Sequence, residues 1–202
     1  MNDLNLSIKS SQYISNTAFN GGAMYFSINL IGDNFQPFIN FTDVIFKSNN
    51  ANDFGGALYS NNDKLYLAEI SNVVFERNIA RRAGGAIYVP NNIKKKSLDI
   101  SKCEFINNKG ETYGNDYTTE VSHIKLNNKN INYNVKSGDY IPLKFSLYDE
   151  YDEFINDKFN IYSGILLSIS IKDNRNDNNN SKYEIHGNTC SFYKGNILIN
   201  IQ

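Results

Sequence analysis

The chain has 202 residues, with 20 Lys and Arg against 21 Asp and Glu for a net charge of -1. Such a balance leaves no electrostatic footprint for a phosphate backbone, so no nucleic-acid partner is expected. Fourteen Tyr, 13 Phe and 34 Asn with no Trp favour strands and turns, while Ala and Leu are scarce, so the chain reads as almost wholly β.

The first segment, MNDLNLSIKSSQ, has neither a basic nor an apolar leader region, and no apolar run reaches the length of a membrane span. Either the protein is cytosolic or the chain is a piece of a longer one whose targeting and anchoring segments lie outside it, and we favour the piece. Two cysteines, Cys103 and Cys190, imply no disulfide framework. Asn5, Asn40 and Asn179 begin Asn-x-Ser/Thr triplets that permit glycosylation.

Next in chain order comes a repeat. An aromatic followed three residues later by Asn occurs as Tyr13/Asn16, Phe46/Asn49, Phe75/Asn78 and Phe105/Asn108. Five residues before each aromatic stands an apolar residue, Ile8, Phe41, Ile70 and Ile100. Gly-Gly-Ala follows the first three at Gly21, Gly22, at Gly55, Gly56 and at Gly84, Gly85, whereas the fourth has Gly114 in the sequence GNDY, where the array ends. Spacings of 34 and 29 residues between the glycine motifs indicate stacked repeat units. The runs between them, such as FTDVIF, GALYS and KLYLA, are short, strand-like and bounded by Asn and Gly.

A unit of this kind cannot bury its apolar face alone. If each wraps into one coil and equivalent strands pair in parallel about 4.8 Å apart, the result is a parallel β-helix. Like residues then stack: Tyr13, Phe46, Phe75 and Phe105 as an aromatic column, Ser11, Val44, Val73 and Cys103 beside it, and an Asn ladder at the turn. Cys103 reads as a core residue. The paired glycines permit positive φ and close passage of coils. Met24, Leu58 and Ile87 are expected inside, and Tyr25, Tyr59 and Tyr88 outside.

FxxN followed by GGA-aliphatic resembles the repeat of the polymorphic outer membrane proteins of chlamydiae, and of large surface proteins of some eukaryotic microbes. FKSN with GGAL and FERN with GGAI carry the full pattern, YISN with GGAM a near one, and FINN lacks its GGA. The resemblance covers residues 1 to about 116. It implies a right-handed β-helix outside the cell, adhesion as the usual role, and no catalytic residues.

Beyond Gly114 the texture changes. Strand candidates EVSHIKL, IPLKFSLYD, GILLSISIKD, KYEIHG, CSFYK and NILINI are separated by turns, with Leu167, Ile169 and Ile171 on one face. These suggest an immunoglobulin-like β-sandwich, loosely similar to invasin-type modules, with residues 173–181 as a polar surface loop. The expected organisation is therefore a parallel β-helix over 1–116 and a sandwich over 117–202.

Candidate chemistry is sparse. The acidic run holds Asp149, Glu150, Asp152 and Glu153 with Asp157 beyond, and Asp149, Asp152 and Asp157 could hold Ca²⁺, although a solvated turn accounts for them too. His123 and His186 stand alone, so no metal or cofactor is expected. Arg81 and Arg82 fit a corner salt bridge or plain solvation. Pectate lyases and many glycosidases share the parallel β-helix, but cleavage needs paired or Ca²⁺-binding carboxylates along a groove. Those of the helix look scattered in phase, only Asp43, Asn72 and Lys102 sharing one. Tyr25, Tyr59 and Tyr88 could form an aromatic stripe for glycan contact, unless a neighbouring turn covers it.

The sequence thus points to a non-catalytic extracellular or cell-surface module for adhesion or spacing, whose partners would be host or matrix glycans or other surface proteins. Its alternatives are a carbohydrate-binding or polysaccharide-cleaving β-helix and a receptor ectodomain.

Overall fold

A computed structural model describes residues 5–27, 38–61, 65, 68–90, 98–128, 136, 138–170 and 185–202. Among these every regular element of any length is a strand, seventeen in all. Two compact units result, 1–122 with 149–153, and 123–148 with 154–202.

The first unit is the β-helix. One sheet stacks β1 (Asn5–Ile14), β4 (Phe38–Lys47), β7 (Glu69–Glu76) and β10 (Cys103–Ile106). A second, of two-residue strands, stacks β2 (Thr17–Ala18), β5 (Asn50–Ala51), β8 (Ile79–Ala80) and β11 (Lys109–Gly110). The third stacks β3 (Met24–Phe26), β6 (Leu58–Ser60), β9 (Ile87–Val89) and β12 (Tyr117–Thr119). Every pairing within the three sheets is parallel, so each repeat contributes one rung to each sheet.

The register matches the sequence alignment residue for residue in the first sheet. Tyr13 pairs with Phe46, Phe46 with Phe75 and Phe75 with Phe105, while Ser11, Val44, Val73 and Cys103 align beside them. The first rung is one residue shorter than the next at a single corner, since its offset is 33 residues at Thr17 and 34 at Met24.

Three left-handed positions bend each of the first three rungs, and the fourth has two of them. One precedes the ladder Asn, at Ser15, Ser48, Arg77 and Asn107 with φ between 54 and 55°. A second lies inside the long strand at Ser10, Asp43 and Asn72, and these residues drop out of the pairing there. The third is the first glycine of each motif. Asn and Asp accept this backbone region more readily than other non-glycine residues do, which suits Asp43, Asn72 and Asn107 to their places.

Between the sheets lies an apolar core of Phe, Ile, Val and Leu. Leu58 and Ile87 point inward, 3% and 0% exposed, and Met24 is partly buried, as expected. Phe46, Phe75, Ile70 and their neighbours line a small apolar void of about 10 Å³. Phe75 is 2% exposed and sandwiched between Phe46 at 4.9 Å and Phe105 at 5.3 Å. Phe75→Ala should therefore cost about 3–5 kcal/mol through lost burial and a cavity. Denaturant unfolding would measure it, and a loss below about 1 kcal/mol would contradict this packing.

The helix extends further than the sequence reading placed it. β12 pairs with β9, so residues 117–119, assigned there to the second domain, belong to the fourth rung. Gly114 keeps the corner geometry even without its Gly-Gly-Ala partner residues, which is why the rung completes after the motif has faded.

The second unit is antiparallel. β13 (His123–Leu126), β14 (Ile141–Tyr148) and β17 (Asn196–Ile201) form one sheet with β14 central, and β15 (Leu166–Ser168) pairs with β16 (Thr189–Ser191). Ile197, Ile199 and Ile201 alternate inward along β17 and share this unit's buried set with Leu143, Leu147, Ile155 and Phe192. The five described strands are fewer than the seven of an immunoglobulin-type sandwich. Among the described residues GILLSISIKD pairs with β16 over the three-residue β15, and Ile169 adds hydrogen bonds to Asn188. Ile171 and the loop 173–181 lie outside the described residues.

Candidate functional site

At the corner after the first sheet, the FxxN asparagines form a continuous ladder. Each side-chain amide donates forward, Asn16 Nδ2 to Asn49 Oδ1, Asn49 Nδ2 to Asn78 Oδ1 and Asn78 Nδ2 to Asn108 Oδ1, all at 2.9 Å. The second N–H of each amide donates backward to a carbonyl one coil earlier, Asn49 to Tyr13, Asn78 to Phe46 and Asn108 to Phe75. Each Oδ1 also accepts the backbone N–H of the preceding asparagine. Asn49 and Asn78 are fully buried, yet both side-chain donors and both lone-pair positions are used. A buried amide satisfied this way carries no desolvation penalty left unmet.

The two glycines of each motif serve different ends. Gly21, Gly55, Gly84 and Gly114 have φ between 60 and 69°. Gly56 instead faces the next coil: a Cβ there would lie 2.7 Å from the Ile79 backbone and closer still to the Gly85 carbonyl oxygen. In the fourth rung that second position is Asn115, which is exposed.

Tyr25, Tyr59 and Tyr88 stack as a column outside the third sheet, at 5.0 and 5.9 Å between ring centres with planes 10° and 21° apart. Their exposure falls steeply along it. Tyr25 is 54% exposed, Tyr59 intermediate, and Tyr88 only 2%. Tyr88, expected on the outside surface, is covered because Phe54 stacks on it at 4.4 Å. Stacked rings present their faces to one another and their edges to solvent, so the column offers little of the flat aromatic face on which a sugar would pack. The same corner is tied by Arg82, whose Nε lies 2.6 Å from Asp53 Oδ1 and whose guanidinium sits 5.5 Å from the Phe54 ring. Burial pushes the Asp53 carboxyl up, with Arg82 and then Arg81 opposing.

Residues 43–61 and 72–90 match the family model of the Chlamydia polymorphic membrane protein repeat. Two of the rungs are thus similar to the polymorphic membrane protein repeat. No curated protein and no solved structure matches the chain. Each matched stretch of polymorphic membrane protein repeat runs from the left-handed Asp43 or Asn72 through the aromatic and the ladder Asn to the third-sheet strand.

The array is closed at its fourth rung. Asn108 Nδ2, the last forward donor of the ladder, meets Asp116 Oδ1 at 3.0 Å instead of another asparagine. Residues 149–153 then form a strap over the third-sheet corner. Asp149 Oδ2 accepts the Thr118 hydroxyl at 2.7 Å, Glu153 Oε1 accepts the Gly114 N–H at 3.2 Å, Glu150 N–H donates to Thr119 Oγ1, and Tyr151 packs edge-on against Tyr117 at 4.8 Å.

This strap accounts for the acidic run. Asp149 is fully buried, and its Oδ1 also accepts the N–H groups of Tyr151 and Glu153. Asp157 gives its two oxygens to the N–H groups of Ile161 and Tyr162. Asp149, Asp152 and Asp157 are not drawn into a common cation site: among the described residues no group of three His, Cys, Asp or Glu could hold a metal ion.

Burial, reinforced by Asp149 and Asp116, raises the Glu153 carboxyl above its ordinary range, with the Gly114 N–H opposing. A raised folded-state pKa means that the ionised form is the less stable one in the fold. Its contribution is present below the ordinary glutamate pKa of about 4.3 and is lost as pH rises through the folded value. Glu153→Gln keeps the acceptor and removes the ionisation. The variant should melt like the parent in acid and above it at neutral pH. A melting difference that does not change with pH would refute this reading.

Asn40 pairs with Glu69, and Asp99 stands six residues before its aromatic as they do, so two carboxylates do share a phase that the sequence reading overlooked. With Lys102 they line an open depression of about 400 Å³. Glu69 accepts a long 3.4 Å bond from Asn40, and Ser101 holds the Asp99 carboxyl below its usual range, the wrong direction for a general acid. Cys103 is partly buried in the core column and its thiol is pushed up to about 11 by burial, then by Asp99, which makes it a poor nucleophile.

Proposed function

We propose that this chain is a non-catalytic structural module of a cell-surface protein, serving adhesion or spacing. The observation that carries it is the buried asparagine ladder, in which every polar group of Asn49 and Asn78 is spent on the stack itself. Side chains arranged in this way build a rod and leave contacts to the turns between rungs. The polymorphic membrane protein repeat supports a surface location, and host or matrix glycans or other surface proteins are the partners this reading would place there.

Antibody labelling of intact cells, with and without permeabilisation, tests the location. Labelling only after permeabilisation would refute it. A polysaccharide panel read for both retention and release of reducing ends tests the role, because cleavage of any polymer would replace the scaffold reading by an enzymatic one centred on Glu69 and Asp99. Retention abolished by Tyr25→Ala but not by Glu69→Gln would place a carbohydrate contact on the exposed end of the tyrosine column.

A further inference from the structure

Asn40, Phe41 and Thr42 form an Asn-x-Thr triplet, the acceptor sequence for an N-linked oligosaccharide. In so asparagine-rich a chain the triplet alone decides nothing; the placement of its side chains does. β4 is a strand, and its period of two carries the first and third residues to one face and the second to the other. Phe41 is accordingly buried in the core at 3% exposure, while Asn40 and Thr42 stand partly exposed on the outer face of the first sheet.

The Asn40 amide is turned with its nitrogen away from the strand's own hydroxyl. Thr42 Oγ1 donates to Asn40 Oδ1 at 2.7 Å, which holds the oxygen along the strand. Asn40 Nδ2 makes one long bond of 3.4 Å, to Glu69 Oε2 at an exposed place, and among the described residues nothing engages its second N–H. The ladder asparagines differ on each count: Asn49 and Asn78 are fully buried, and all their amide hydrogens are spent on neighbouring coils. Asn72, on the same outer face, gives its amide to Asp43 at 2.7 Å and has Val74 where the triplet needs a hydroxyl. Across β1 the neighbour of Asn40 is Ser7, small and exposed, and on the other side the open depression bounded by Glu69 and Asp99 begins. A bulky group on Nδ2 has room there.

We propose that Asn40 carries an N-linked oligosaccharide lying over the outer face of the first sheet. The inference rests on the surface reading above, because the transfer belongs to the secretory route. Asn40 Nδ2 forms a bond to the anomeric carbon of an oligosaccharide held on a lipid diphosphate. The bond from that carbon to the diphosphate oxygen breaks, the lipid diphosphate leaves with the electron pair, and an amide proton passes to a base of the transferring enzyme. Since β4 is paired on both sides, the transfer precedes its pairing, and what the fold supplies is space for the product. The glycan would cover Glu69 and Asp99 and leave contacts to the turns.

Peptide mass spectrometry of the protein purified from its own cells tests this. Release with an amidase specific for N-linked glycans, in heavy-oxygen water, should convert Asn40 to labelled aspartate. Asn40→Gln and Thr42→Ala should each remove the glycan and bring the protein to the same lower mass, whereas Thr42→Ser should keep it. A wholly unmodified Asn40 peptide, from protein that antibody labels on intact cells, overturns the proposal and leaves the surface reading standing. A modification at Asn40 that survives Thr42→Ala also overturns it. A glycan at Asn40 on protein that labels only after permeabilisation sustains this proposal while refuting the surface location.

Discussion

Asn78→Ala is expected to leave the β-helix largely unfolded at room temperature. The substitution removes the acceptor of the Asn49 backbone N–H and of Asn49 Nδ2, and the donor to the Phe46 carbonyl and to Asn108 Oδ1. Asn108 Oδ1 keeps the Asn78 backbone N–H, so about three buried groups lose their partner outright. At about 1–3 kcal/mol for each unsatisfied buried group, the sum is comparable with the whole stability of a domain, about 5–15 kcal/mol. Far-ultraviolet circular dichroism through a urea titration would measure it. Stability within about 1 kcal/mol of the parent would mean that the ladder is not a buried hydrogen-bonded column.

Gly56→Val should be worse, and should give no soluble folded protein. The atoms that its Cβ would meet are backbone, the Gly85 carbonyl and the Ile79 N and C, and rung spacing is fixed at about 4.8 Å by the sheets on either side. No rotamer relieves such a clash. Gly164→Ala is the matched control, because a Cβ at Gly164 meets nothing within 4 Å. Soluble yield and thermal melting of the two variants should diverge sharply. Equal behaviour would mean that the coils do not pass each other at Gly56.

Much of this could be read from the chain because the repeat carries its own alignment. Equivalent residues in Tyr13, Phe46, Phe75 and Phe105 had to coincide in space once parallel stacking was accepted, and they do. The Asn ladder followed from the same spacing. The bend at Ser10, Asp43 and Asn72 was hidden because those three residues share a backbone conformation without sharing a side chain. Strand alternation put Tyr88 outside the sheet, but which residue covers it could not be read from the strand, because Phe54 comes from another corner of the preceding coil.

The closed end was also invisible, although its residues were noticed. Asp149 to Glu153 looked like a solvated acidic turn, because nothing local reveals that the run returns to Gly114, Thr118 and Thr119 from more than 30 residues away. The departure from Gly-Gly-Ala at Gly114 was visible as an ending. That it is an ending with a physical cause, a side chain allowed where no further coil presses, emerges only from what a Cβ at Gly56 or Gly85 would strike.

The rungs are joined in series by a single chain, and among the described residues the strands of each rung pair only with those of the rungs beside it. Tension applied along such a stack peels it one turn at a time. Each turn of about 30 residues pays out roughly 100 Å of extended polypeptide at about 3.3–3.6 Å per residue, so a module of this kind can yield to a passing load in discrete steps and rewind when the load is gone.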